Sequence, residues 1–229
     1  MPNYHTVLFD ADNTLFDFDR AERRALQLAL EERGYPFNDE TEGLYLSLNR
    51  ALWHRFDLGE VTQDFLLVER FRQFEQAMGG HHDPERFNRD YLAHLGEGAY
   101  LLPGAEALCR ALAPHCTLSI ITNGATAAQK GRFQRSAIRD CISHLFISQE
   151  MGCRKPERVY FDKVFQALGL QGPEGVVVVG DNLLSDILGG IRAGTDTIWY
   201  DPKGTPGDPD ITPTHTARDF QTVQRLILG

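Results

Sequence analysis

Two apolar runs in this chain stop abruptly at aspartate, and that pairing narrows the possible folds more than any other feature. Val176-Val177-Val178-Val179 runs into Gly180-Asp181, and Val7-Leu8-Phe9 runs into Asp10-Ala11-Asp12-Asn13-Thr14. Four valines with no polar alternation describe a strand buried on both faces, as in a parallel sheet covered by helices. Residues 4–9 have the same short, β-branched and aromatic look. Open sheets of this kind hold ligands beyond the carboxyl ends of their strands, which is where both runs place their acids. Asp10 and Asp12 repel one another there unless a cation, a shared proton or a reaction intermediate compensates. Their spacing reads as a metal-assisted nucleophile with an acid/base partner; the plain alternative is a turn, since Asp, Asn and Thr bond readily to nearby backbone. An EF-hand calcium loop fails, because Thr14 is fifth, Leu15 replaces the sixth-position glycine and Ala21 replaces the twelfth-position glutamate.

Three further segments fit the same chemistry. Leu118-Ser119-Ile120-Ile121 ends in Thr122-Asn123-Gly124, where the Thr122 hydroxyl and the backbone N–H groups around Asn123 and Gly124 can donate to a phosphate. A helix expected from about Thr126 turns its positive end toward them, although such a triplet is also simply a good turn. Arg154-Lys155-Pro156 precedes a helical stretch over 157–168, with proline at a first helical position. Lys155 is one of four lysines against nineteen arginines. Its compact charge suits simultaneous pairing with a phosphate oxygen and a carboxylate; otherwise it is a solvated surface lysine. Asp181 can join Asp10 around one magnesium ion, which takes one or two carboxylates and completes its shell with water. Asp186, five residues on, reads either as support for those ligands or as a favourable charge at a helix start.

Between residues 19 and 96 the pattern changes to helical periodicity. Helices are expected near 20–33, 39–57, 62–78 and 84–95, with breaks at Gly34-Tyr35-Pro36, Gly59 and Gly79-Gly80. Asp19 with Glu22 resembles a capping box, and Asp83-Pro84 an N-cap followed by proline. From Pro103 onward, helical segments alternate with strands near 117–121, 144–147, 176–179 and 197–200. Residues 201–213, with four prolines, are loop-rich and suit edge or terminal packing. The pattern is therefore α/β, with helices and strands alternating as a parallel sheet requires and a helical stretch lying after the first strand.

With 229 residues, 42% hydrophobic and 24% charged, the chain has enough apolar material for one core and a smaller unit. Its net charge of −9 makes nucleic-acid polymers and anionic membranes poor partners. A small phosphate ester stays compatible, because magnesium and Lys155 would reverse the field locally. Cys109, Cys116, Cys141 and Cys153 show neither a Cys-x-x-Cys pair nor zinc-ligand spacing and are expected to be free thiols. There is no Gly-x-Ser-x-Gly, no P-loop and no complete Gly-x-Gly-x-x-Gly. No segment reads as a signal peptide or a membrane span, so the cytoplasm is the expected compartment.

Taken together, Asp10-x-Asp12-x-Thr14, Thr122, Lys155 and Gly180-Asp181 with Asp186 resemble the haloacid dehalogenase superfamily of phosphatases. The resemblance implies an α/β fold, a Rossmann-like parallel sheet core over 1–15 and 100–229 with a mostly helical cap, 16–99, inserted after the first strand. It implies a magnesium site built from Asp10, Asp181 and Asp186, to which Asp12 contributes its backbone carbonyl. The reacting set would be Asp10, Asp12 and Lys155, with phosphate held by Thr122, Asn123 and Lys155. Members that cleave carbon–halogen bonds lack an acid at the position of Asp12. Phosphonate-cleaving members use a cap lysine, and residues 15–100 contain none.

Residues 10–16, Asn49-Arg50-Ala51-Leu52-Trp53, Ile121-Thr122-Asn123-Gly124 and residues 185–190 are similar to the bacterial pyrimidine 5′-nucleotidase subfamily. That likeness implies a small phosphate monoester as substrate, a nucleoside monophosphate such as UMP, dUMP or dTMP; the expected assembly is a monomer or homodimer. Asn13 departs from it, since an acid is common there. Tyr45, Asn49, Trp53 and Phe56 recur at helical spacing, so Asn49 and Trp53 are candidates for reading a pyrimidine base; the alternative is cap packing. A sugar-phosphate phosphatase of the acylneuraminate-9-phosphate type, a phosphomutase, and a non-catalytic phosphate-sensing module are the competing readings.

Overall fold

The run Thr6–Phe9 forms β1, a strand without an exposed residue, in a computed structural model that describes residues 2–229. Four helices follow: α1 (Phe18–Glu31), α2 (Asp39–Asp57), α3 (Gln63–Met78) and α4 (Pro84–Glu97). The chain then alternates through α5 (Ala105–Leu112), β2 (Thr117–Thr122), α6 (Thr126–Arg135), β3 (His144–Ile147), the single turn α7 (Ser148–Met151), α8 (Arg158–Leu168) and β4 (Val176–Gly180). A π-turn over Leu183–Ile187 leads into α9 (Leu188–Ala193), followed by β5 (Asp196–Tyr200), β6 (His215–Ala217) and α10 (Phe220–Leu228).

The strands form one six-stranded parallel sheet in the order β3-β2-β1-β4-β5-β6. Strand order runs outward in both directions from β1, and a sheet of this topology holds its ligands at the carboxyl ends of the strands beside that reversal. The two-residue period of the strands divides the core. Val7, Phe9, Leu118, Ile120, Val177 and Val179 pack with α5 and α10 on one face. Leu8, Ile121, Val176 and Val178 pack with Tyr160, Phe161, Val164 and Phe165 of α8 on the other. Burial on both faces is why these strands are continuously apolar.

Residues up to Phe18, with Ala99–Gly229, make one compact unit, and Asp19–Gly98 make a second. The helical unit has an aromatic core in which the Phe71 and Phe87 rings stack with centroids 4.3 Å apart, flanked by Tyr45, Phe74 and Tyr91. Arg70 is buried inside it and donates to Tyr45 Oη (3.2 Å), Asn49 Oδ1 (3.0 Å), Asn88 Oδ1 (2.9 Å) and the Leu67 carbonyl (3.1 Å).

Three local expectations need correction. Glu22 makes no capping box with Asp19, which lies inside the first turn of α1; it is buried and accepts from Asn49 Nδ2 at 2.8 Å. The capping box belongs instead to Asn38 and Thr41 at the start of α2. Pro156 is not at the first position of α8: its peptide bond with Lys155 is cis, and the helix starts at Arg158. The edge strand β6 was not anticipated, because three residues beyond a proline-rich loop leave no measurable period.

Glycines let the layers close. A Cβ on Gly190 would lie 2.6 Å from Thr197 Cγ2 and 3.2 Å from Val178 Cβ, so only hydrogen lets α9 sit this close to β4 and β5. Gly190→Val should therefore destabilise the protein by about 1–3 kcal/mol through overpacking, read as a lowered thermal midpoint. An unchanged midpoint would contradict this packing.

Candidate active site

The loop after β1 is held tightly to the sheet. The Asp10 N–H donates to the Val179 carbonyl at 2.8 Å, extending the β1–β4 ladder by one step, and the Ala11 carbonyl accepts from Leu15 and Phe16. Asn13 has φ +59°, a left-handed conformation that Asn and Asp tolerate better than most side chains. That backbone demand accounts for either residue type at this position. Thr14 is fully buried, and its Oγ1 accepts the Asp181 N–H at 3.1 Å, tying the first aspartate loop to the tip of β4.

Lys155 joins the remaining segments. Its ammonium, with the side chain 1% exposed, donates to Asp10 Oδ1 (2.6 Å), Asp186 Oδ1 (2.7 Å) and the Ile121 carbonyl (2.9 Å). An ammonium has three protons, so all are engaged and a phosphate oxygen must displace one of these partners. Asn123 positions that lysine through the backbone: its Nδ2 donates to the Lys155 carbonyl (2.9 Å) and its Oδ1 accepts the Lys155 N–H (3.0 Å). The side chain of Asn123 is thus committed to Lys155. Thr122 is buried at the end of β2, and its Oγ1 accepts the Gly124 N–H at 3.0 Å, leaving the hydroxyl proton to donate.

Asp10, Asp181 and Asp186 each present an oxygen within 4.8 Å of the others. Burial pushes the Asp10 carboxyl up to about 7 despite the neighbouring Lys155, with Asp186 and Asp12 adding to the rise. Burial, reinforced by Asp10 and Asp186, also holds Asp181 well above the ordinary carboxylate range. Lys155 loses solvation in the same place, yet Asp10 and Asp186 more than offset that loss and raise its proton affinity. Three carboxylates facing one ammonium leave negative charge uncompensated, and an all-oxygen acidic set suits a hard divalent cation. Asp186 is already bonded through both oxygens: Oδ1 to Lys155 and Ser185, and Oδ2 to the Asn182 N–H. A Cβ on Gly180 would lie 2.3 Å from Asp186 Oδ2, so the glycine before Asp181 makes room for that carboxylate.

Asp12 is held by two residues that the sequence analysis did not single out. Arg132 Nη2 donates to its Oδ1 at 2.5 Å and Gln129 Nε2 to its Oδ2 at 2.7 Å, both from α6. The available signal was a face of α6 that buries Gln129 and Arg132 beside Ala128 where apolar residues belong.

Asn49 and Trp53 belong to the helical unit. Asn49 is 4% exposed and spends its amide on Glu22 and Arg70. Burial pushes the Glu22 carboxyl up to about 7 against the pull of Arg70. Trp53 is half-buried and meets Phe56 edge-on, with ring centroids 5.4 Å apart. The stripe predicted to offer an amide to a base is, at Tyr45, Asn49 and Phe56, interior packing of this unit.

Residues 4–194 match the haloacid dehalogenase-like hydrolase family, and the chain belongs to it. It is an enzyme of the hydrolase class. Among individual relatives, the pyrimidine 5′-nucleotidase YjjG of Escherichia coli is 33% identical over 96% of both chains. The pyrimidine 5′-nucleotidase PynA of Streptococcus pneumoniae is 32% identical over 95% of this chain and 92% of its own. The crystal structure of the HAD-hydrolase YfnB from Bacillus subtilis, bound to magnesium, superposes with a TM-score of 0.93 at 33% identity and covers 98% of each chain. Among the described residues, no helix is long and apolar enough to cross a membrane.

A cation entering this acidic cluster must displace the proton that Asp10 retains up to about pH 7. Affinity for a hard divalent cation, measured by calorimetry, should therefore fall as pH drops below about 7, with protons released on binding. An affinity flat across that range would contradict the charge balance described here.

Proposed function

We propose that the chain is a magnesium-dependent phosphomonoester hydrolase that works through an aspartyl-phosphate, and that its substrates are pyrimidine nucleoside 5′-monophosphates. One observation carries the chemistry: Asp10 lies against the Lys155 ammonium at 2.6 Å, with Asp181, Asp186 and the Asp12 loop around it. The substrate class is supported by two relatives at 32–33% identity, each named as a pyrimidine 5′-nucleotidase and each aligned over more than nine-tenths of both chains. The same relatives favour a nucleotidase over a sugar-phosphate phosphatase or a mutase.

Asp10 is the nucleophile: one carboxylate oxygen attacks phosphorus in line, and the bond from phosphorus to the ester oxygen breaks. Asp12 gives the departing alkoxide its proton. Asp12 then takes a proton from the attacking water, whose oxygen bonds to phosphorus as the acyl-phosphate bond breaks, regenerating Asp10 and releasing inorganic phosphate. Lys155 and the Thr122 hydroxyl stabilise the charge spread over the transferring group. Asp10, Asp181 and the backbone carbonyl of Asp12 would hold magnesium, with Asp186 fixing Lys155 beside them. The ion supplies charge neutralisation at the phosphoryl oxygens. Asn123 acts by holding the Lys155 backbone.

Asn49 takes no part in base reading on this account, because its amide is bonded at both ends within the helical unit. Asn49→Ala is expected to lower stability by about 1–3 kcal/mol through the stranded Glu22 and Arg70; a raised nucleotide KM with unchanged stability would restore it as a substrate contact. Asp10→Asn should retain the fold and magnesium-independent melting behaviour while losing phosphate release altogether. Release should be fastest from UMP, dUMP or dTMP in a panel that includes purine nucleotides and sugar phosphates. Undiminished turnover by the Asp10→Asn protein, or preference for a sugar phosphate, would overturn the corresponding half of the proposal.

A further inference from the structure

We propose that Gln129 and Arg132 form a two-armed clamp that fixes the Asp12 carboxylate for proton transfer, which makes them positioning residues of the reaction. The inference rests on the phosphatase reading above and adds the groups that set the geometry of its acid/base. Asp12 sits on a loop with its side chain 26% exposed, so the loop alone does not immobilise it. The two arms come from one helix, three residues apart and therefore on one face, and they take different oxygens: Arg132 holds Oδ1 and Gln129 holds Oδ2. Each oxygen keeps a second lone pair on which a proton can travel.

Arg132 is a poor structural residue on any other account. Its side chain is 1% exposed, and its Nε and Nη1 are buried with no hydrogen-bond partner among the described residues. The guanidinium lies over the rings of Phe16 and Phe18, 5.4 Å and 5.7 Å from their centroids. Among the described residues its one ion-pair partner is Asp12. A buried charge that forgoes most of its hydrogen bonds to reach a single carboxylate is costly, and an apolar side chain would pack this face of α6 without that cost. Arg132 also offsets Asp12 where Asp10, Asp181 and Asp186 already crowd negative charge.

Gly124 supplies an independent sign of the same device. A Cβ there would lie 2.0 Å from Gln129 Nε2 and 2.8 Å from its Cδ, so the arm can cross to Asp12 only over a residue without a side chain. The glycine that ends the phosphate-loop triplet thus clears the path of the clamp. Its φ is not in the left-handed region, so the requirement comes from space and not from backbone conformation.

Leaving-group dependence separates a positioning role from a structural one. Displacing a nucleoside requires a proton for the alkoxide, whereas p-nitrophenolate departs without one. kcat/KM reports the steps up to release of the alcohol, so it should be compared for UMP and p-nitrophenyl phosphate in the magnesium-loaded full chain. Positioned proton transfer contributes about 10²–10⁴-fold. Gln129→Leu and Arg132→Met should therefore lose about tenfold or more on UMP while changing little on the aryl ester, and Arg132→Lys should recover part of the loss. Far-ultraviolet circular dichroism and magnesium affinity matching wild type identify the variants that remain folded; if Arg132→Met does not fold, Gln129→Leu decides. Equal losses on both esters in a folded variant, or no loss on UMP, would overturn the clamp. Failure of wild type to hydrolyse either ester is a different failure, since it overturns the phosphatase reading on which the clamp rests.

Discussion

The acidic loops at the sheet's carboxyl edge depend on one buried ammonium. Lys155 reaches Asp10, Asp186 and the Ile121 carbonyl, so it links the ends of β1 and β2 to the π-turn that follows β4. Asp10 is 7% exposed and Asp186 is fully buried, and removing their shared cation would strand two carboxylates in low dielectric. Breaking a buried pair in this way costs about 3–5 kcal/mol, far more than an exposed ion pair contributes. That one ammonium balances a single carboxylate, so the three acids carry excess negative charge once they ionise, which is the condition that favours a divalent cation.

Everything around Lys155 serves to hold these charges at fixed separations. Asn123 brackets the lysine backbone, Thr14 pins the Asp181 loop to the Asp10 loop, and Gly180 and Gly124 leave space for the side chains of Asp186 and Gln129. Two charge groupings result. Asp10 and Asp186 share Lys155, with Asp181 beside them, whereas Asp12 is paired separately with Arg132. Splitting the carboxylates in this manner gives chemically identical side chains different environments, which is what a nucleophile and an acid/base two residues apart require.

The parallel core was legible because its strands are buried on both faces and so read as uninterrupted apolar runs. Val7 to Phe9 and Val176 to Val179 could be placed from composition alone, and the residues after them fell at the strand ends. Helix boundaries in 19–98 were legible from period and caps, as at Asp83-Pro84. Less visible were features whose partners are remote in sequence. Arg132 and Gln129 are marked only by falling on the α6 face where apolar residues belong, and their partner Asp12 lies 120 and 117 residues away. Asn49 and Asn123 looked available for a ligand because a sequence does not reveal that Arg70, Glu22 and the Lys155 backbone already use their amides. Polar side chains in a sequence advertise capacity; only packing determines where it is spent.

The proposed hydrolysis depends on covalent transfer to one side chain. The direct measurement is acid quench of the magnesium-loaded enzyme during turnover of UMP, followed by peptide mass spectrometry with and without hydroxylamine. A phosphoryl increment confined to the peptide bearing Asp10, and removed by hydroxylamine as an acyl phosphate must be, is the predicted result. Rapid phosphate release with no such adduct at any quench time, or an adduct mapping to another residue, would contradict the assignment of Asp10.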